Sequence, residues 1–127
     1  MIVIDASAAV LALMSNGEAR QMLRSEDLHA PAHIDVEIVS AFRRLVRTEK
    51  IAPRVVEGIL NQWSNVGLRR YLAQPFLARM WELHHNLTPY DAASVALAES
   101  LECSLLTADR GQVGAPGVQC PVMYVAS

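Results

Sequence analysis

Four carboxylates are the candidates for chemistry in this chain: Asp5, Glu37, Asp91 and Asp109. Asp5 closes an apolar run, Glu37 edges an amphipathic stripe, Asp91 lies at the start of an alanine-rich segment, and Asp109 follows a short apolar stretch. Acids gathered in one cleft repel each other and take up protons near neutral pH, unless a divalent cation supplies the missing charge. An all-oxygen donor set suits a hard ion, Mg²⁺ or Mn²⁺, over zinc. His29, His33, His84 and His85 make no comparable set, since Pro31 interrupts the pair at helical spacing; surface or packing roles are expected for them.

The elements that must position these acids can be read from apolar periodicity. Met1 to Asp5 carries apolar residues on both faces, as a central parallel strand does, and ends on a carboxylate that is costly to bury unless solvated, hydrogen-bonded or bound to a cation. Taken alone, Asp5 or Ser7 serves equally as the N-cap of a short helix, Ala8 to Met14. Asn16-Gly17 turns the chain, Glu18 to Arg24 reads as a second helix, and Leu28 to Ala30 is an inner strand closed by Pro31. From Ile34, the residues Ile38, Ala41, Phe42 and Leu45 define one buried helical stripe. Glu37 lies at its edge beside Arg44, where a solvated flank role competes with a place in the cleft. Arg43, Arg44 and Arg47 fall on the wet side, suited to phosphate contact or to plain solvation.

Ala52-Pro53 opens a helix that runs past Trp63 and stops by Gly67. Arg69 to Leu72 reads as an edge strand, and Gln74-Pro75 starts a helix over Phe76 to His85. Trp63 and Trp81 are expected to pack within the chain, interface anchoring being the alternative. Thr88 suits an N-cap and Pro89 the first helical position, which puts Asp91 at the third, among free backbone N–H groups. The following helix is apolar nearly all round, hence buried against a sheet. Leu105 and Leu106 form a strand broken by Thr107-Ala-Asp109-Arg110, Gly111 to Pro121 reads as a glycine- and proline-rich loop, and Val122 to Val125 as a last strand. Alternating strands and helices call for an α/β fold: a mainly parallel sheet of about five strands with helices on both faces. Ligands in such sheets lie beyond the carboxyl ends of the strands, where Asp5 and Asp109 fall.

Residues 1–127 are expected to form a single domain with one sizeable core, since 52% of the chain is hydrophobic and 19% charged. No apolar run approaches the roughly 18 residues that span a bilayer, and the start MIVID has no basic leader, so a cytoplasmic location with no membrane contact is expected. Cys103 and Cys120 are expected to be free, buried thiols. The net charge is −2, but setting the four candidate acids aside leaves eleven basic against nine acidic side chains, ten of the bases being arginine. An acidic centre in an arginine-rich shell suits cutting of a polyanion at a metal site, with ordinary surface charge as the other reading.

The spaced motifs VIDAS, VEIVSAF with Glu37, TPYDAASVALA and LLTADR resemble those of the PIN-domain ribonucleases, above all the small VapC-type toxins of bacterial toxin-antitoxin pairs. The resemblance spans nearly the whole chain. It implies a PIN-like three-layer sandwich with strand order 3-2-1-4-5, Mg²⁺ or Mn²⁺ dependence, RNA cleavage, homodimers and inhibition by a small cognate antitoxin. By that likeness Asp5, Glu37, Asp91 and Asp109 match the family's acidic quartet, and Ser7 and Thr107 its accessory hydroxyls. Ser40 stands where relatives often carry asparagine, which bears on the orientation of Glu37. GQVGAPGVQC after Asp109 is glycine-rich where many relatives continue with a short helix, and it adds no acid for a second metal.

The expected activity is therefore metal-dependent endoribonuclease. Asp5, Asp91 and Asp109 hold the ion directly or through water, Glu37 holds the attacking water or a further ion, and Arg43, Arg44 and Arg110 guide the RNA backbone. Two other readings fit less well. A haloacid-dehalogenase-like phosphatase also puts an aspartate after its first strand but needs a second acid two residues on, where Ser7 stands. An inactive PIN-like module that grips RNA or protein has no use for an intact quartet.

Overall fold

The computed structural model describes residues 1–126. Five strands, β1 (Ile2–Ile4), β2 (Leu28–Pro31), β3 (Leu68–Tyr71), β4 (Ser104–Thr107) and β5 (Val122–Tyr124), form one sheet in the order β3-β2-β1-β4-β5. Every pairing in it is parallel. The helices are α1 (Ala6–Met14), α2 (Glu18–Ser25), α3 (Ile34–Arg47), α4 (Pro53–Ser64), α5 (Leu77–Glu82) and α6 (Pro89–Ser100). The order is the one the family resemblance implied, and the sheet expected to be mainly parallel is parallel throughout.

β1 is central, and its alternation divides the core into two layers. Ile2 and Ile4 join Ala8, Ala12, Ile34, Ile38, Phe42 and Trp63 on the side of α1 and α3. Val3 joins Leu83, Leu87, Ala92, Val95 and Leu105 on the side of α6. Ala92 to Ala98 are buried without interruption. The alanines that make this segment hydrophobic all round are also what lets a helix backbone press against the sheet. Among the described residues no helix is long and apolar enough to cross a membrane.

Polar cross-links fix the outer elements. Asp35 on α3 accepts from Trp63 Nε1 of α4 at 2.7 Å and from Arg70 of β3 at 2.7 and 2.9 Å. Arg79 of α5 holds Glu99 of α6 with two bonds, 2.7 and 3.0 Å, and donates to the Gly117 carbonyl at 2.6 Å. The Gln119 N–H also donates to Glu99, at 2.8 Å, so the glycine-rich segment is tied to α6 rather than loose. Cys103 and Cys120 are free and partly buried, and burial pushes the Cys120 thiol up to about 11.

Several boundaries depart from the sequence reading. Pro31 is the last residue of β2 and not its terminator; the N–H it lacks falls where the ladder ends, and Ala32 N–H takes over at 2.7 Å from the Tyr71 carbonyl. β3 begins one residue earlier than expected, at Leu68. The helix expected over Phe76 to His85 is a 3-10 turn, Gln74–Phe76, followed by the short α5. It stops because Leu83 turns into the core, 2% exposed, and Leu87 follows it. Trp63 packs inside the chain as expected, but Trp81 does not: it is 70% exposed and stacks on the His84 ring.

Candidate active site

Parallel register brings the first two acids together. Ile4 pairs with Leu106, so Asp5 and Thr107 emerge side by side at the carboxyl edge of the sheet, with Asp5 N–H donating to the Leu106 carbonyl at 3.1 Å. Asp5 is 5% exposed and both its oxygens are fully engaged. Oδ1 accepts from Ser7 Oγ at 2.6 Å and from Ala8 N–H at 2.9 Å; Oδ2 accepts from Thr107 Oγ1 at 2.5 Å and Gln112 Nε2 at 2.6 Å. Asp5 is thus the N-cap of α1 as well as a wall of the cleft. The two readings of this residue describe one side chain. Burial pushes its carboxyl above the ordinary carboxylate range, outweighing the four hydrogen bonds that oppose it.

The two hydroxyls bind the strand ends into a unit. Ser7 Oγ accepts from Ala108 N–H at 2.9 Å and lies 3.2 Å from Thr107 Oγ1, which accepts from Asp109 N–H at 3.0 Å. Asp109 Oδ1 in turn accepts from Gly111 N–H at 2.9 Å and starts a 3-10 turn, Arg110–Gln112. The segment expected to be loop from Gly111 onward therefore begins as a helical turn. Its last residue points inward: Gln112 is 1% exposed and reaches Asp5.

On the opposite wall Thr88 caps α6, its Oγ1 accepting from Asp91 N–H at 3.2 Å, and Asp91 occupies the third position as the Thr-Pro-Tyr-Asp sequence required. Burial raises the Asp91 carboxyl to about 6, and the charges of Asp5, Asp109 and Glu37 add to the rise. Glu37 enters from α3, with His33 Nε2 3.1 Å from its Oε1 and the His33 ring edge-on to Tyr90. Ser40 is exposed and outside the cleft lining, and the neighbour beside Glu37 on its own helix is His33, within ion-pair distance but with no hydrogen bond at Nε2. All four acids line one cleft of about 420 Å³, together with Ser7, Arg44, Ser94 and Gln112.

The three expected arginines part company. Arg44 lines the cleft, whereas Arg43 lines a separate apolar groove between α3 and α4. Arg110 lies outside the lining and is drawn aside, its Nε donating to Tyr124 Oη at 3.2 Å and its guanidinium over the Tyr124 ring. Sequence reasoning missed Gln112, Ser94 and His33. His33 stands four residues before Glu37, a spacing that could have been read; Ser94 stands three after Asp91, on the same face. Gln112 carried no signal beyond its polarity in a glycine-rich stretch.

The donor set fits a hard divalent cation. Among the described residues no group of three His, Cys, Asp or Glu side chains stands, as placed, close enough together to hold a metal ion. Yet Asp5 Oδ2 and Asp91 Oδ1 both face the Gln112 amide nitrogen, at 2.6 and 3.2 Å, so two of the acids share one point of space held by a partly positive group. The rise at Asp91, due first to burial, includes a smaller like-charge contribution from Asp5, Asp109 and Glu37 that reflects the same crowding.

The PIN domain family model matches residues 2–116. VapC ribonuclease Mb0985 of Mycobacterium bovis is 42% identical over 125 residues, 98% of each chain. Ribonuclease VapC12 of Mycobacterium tuberculosis is 36% identical over 129 residues, covering 99% of this chain and all of that one. Two solved structures share the fold: PAE2754 from Pyrobaculum aerophilum, TM-score 0.66 and 24% identity over 87% of this chain and 75% of that one, and Mycobacterium tuberculosis VapC20, described as a sarcin-ricin loop cleaving toxin, TM-score 0.63 and 17% identity over 94% and 99%. With a family match across most of its length and near-full-length relatives above the level at which identity could be accidental, the chain belongs to the PIN-domain family, among its VapC ribonucleases.

Proposed function

We propose that this protein is a Mg²⁺- or Mn²⁺-dependent endoribonuclease that acts as the toxin of a toxin-antitoxin pair. The observation that carries the reading is the shared cleft of Asp5, Glu37, Asp91 and Asp109, with Asp91 driven to about 6 by burial and like charge. Asp5, Asp91 and Asp109 would hold the ion, directly or through water, and Glu37 would hold the attacking water or a further ion. When bound, the ion makes water more acidic and offsets charge on the leaving oxygen of a phosphodiester. Ser7 and Thr107 fix the Asp5 carboxylate by donating to its two oxygens, and His33 lies beside Glu37. Arg44, in the cleft wall, is placed to meet a backbone phosphate; Arg110 and Arg43 would do so only at the margins. The products carry 3'-hydroxyl and 5'-phosphate ends, the working unit is a homodimer, and a small VapB-type antitoxin silences it in the cytoplasm.

Asp5→Asn and Asp91→Asn each keep the shape of the side chain and remove charge. Each is expected to lower Mg²⁺-dependent cleavage of RNA by at least about a hundredfold while the circular dichroism spectrum is retained. Cleavage at the wild-type rate in either purified variant, or undiminished in excess EDTA, would sink the proposal. RNA binding without cleavage under any metal would identify an inactive module instead.

A further inference from the structure

We propose that the Gln112 carboxamide is a placeholder for the cation: its nitrogen holds the acidic cleft together in the metal-free protein, and an incoming ion must displace it. The inference rests on the metal reading above. Gln112 is 1% exposed, and its Nε2 lies among three acceptors: Asp5 Oδ2 at 2.6 Å, Asp91 Oδ1 at 3.2 Å and Thr107 Oγ1 at 3.3 Å. Its Oε1 is buried without any partner. An orphaned buried amide oxygen is costly, so the orientation is dictated by the nitrogen. Turned the other way, the carbonyl oxygen would face two carboxylates. The cleft therefore selects a partly positive group at the one point that Asp5 and Asp91 share.

The turn that delivers this side chain is built on Asp109. Asp109 Oδ1 accepts from Gly111 N–H and the Asp109 carbonyl from Gln112 N–H at 3.2 Å, so one acid of the cleft supports the residue that bridges two others. A hydrogen-bonded amide and a cation cannot occupy the same point. Whatever the amide contributes to the metal-free state is subtracted from the affinity for the ion.

Two substitutions move this balance in opposite directions. Gln112→Met keeps length and volume but removes the donor; Gln112→Lys puts a permanent positive charge in its place. Mn²⁺ binding is measured by loss of the free-ion electron paramagnetic resonance signal, and thermal unfolding is measured in EDTA. Gln112→Met is expected to bind Mn²⁺ about fivefold more tightly than wild type and to melt earlier without metal. Gln112→Lys is expected to lose Mn²⁺ binding and to melt no earlier than wild type without metal. Weaker or equal Mn²⁺ binding in Gln112→Met overturns the placeholder while leaving the metal reading intact, as does earlier melting or loss of fold in both variants, the mark of a residue that only packs. Wild-type protein that does not bind Mn²⁺ overturns both.

Discussion

At the scale of single residues, the buried hydroxyl of Thr107 does more than accompany the acids. It donates to Asp5 Oδ2 and accepts from Asp109 N–H, so one atom ties the Asp5 carboxylate to the backbone that carries Asp109. Thr107→Val preserves volume but takes one of the two donors from the buried Asp5 Oδ2 and the acceptor from the part-buried Asp109 N–H, and a buried group short of a partner costs about 1–3 kcal/mol. The expected outcome is a loss of that order in urea unfolding, a further rise of the Asp5 carboxyl, and a Mg²⁺ requirement for RNA cleavage shifted to higher concentration. Thr107→Ser should restore most of each. Unchanged stability in the valine variant would mean that the hydroxyl is dispensable to Asp5.

At the scale of elements, the four acids stand where they do because of how strands and helices begin and end. α6 illustrates this most simply: Thr88 satisfies the Asp91 N–H, Pro89 fixes the first turn, and Asp91 follows at the third position facing the cleft. Thr88→Ala is expected to cost about 1 kcal/mol of stability from the lost cap. Because the Thr88 hydroxyl also lowers the Asp91 carboxyl against burial, the same variant should titrate Asp91 above 6, readable by carboxyl NMR, and Thr88→Ser should not. This start was legible in the sequence because capping is local chemistry, written in consecutive residues. So was the central strand, whose apolar residues point to both faces. The short α5 was not, since its end is decided by Leu83 finding a core pocket far along the chain. Gln112 was hidden for the same reason: it meets Asp5 across 107 positions of sequence, and only the folded turn brings it there.

For the whole molecule, gathering negative charge at one edge of the sheet sets stability against function. Asp5 and Asp91 both hold protons more tightly folded than unfolded. Such groups favour the folded state below the ordinary carboxylate value of 3.8, and that contribution is lost as pH rises through the folded value, about 6 for Asp91. The metal-free protein should therefore lose stability between about pH 4 and 6 through these groups, and Asp91→Asn should flatten that part of the profile. On the metal-dependent reading proposed above, a divalent ion would reverse the balance, since it would bind the ionised acids and have to expel their protons. The increase in melting temperature on adding Mg²⁺ is accordingly expected to be larger at pH 7.5 than at pH 5 in the wild type. In Asp91→Asn the increase should be smaller and less dependent on pH. Equal stabilisation of the wild type at both values would mean that the ion does not meet the protonated acids, and that the carboxylates of the cleft are held apart by the fold alone.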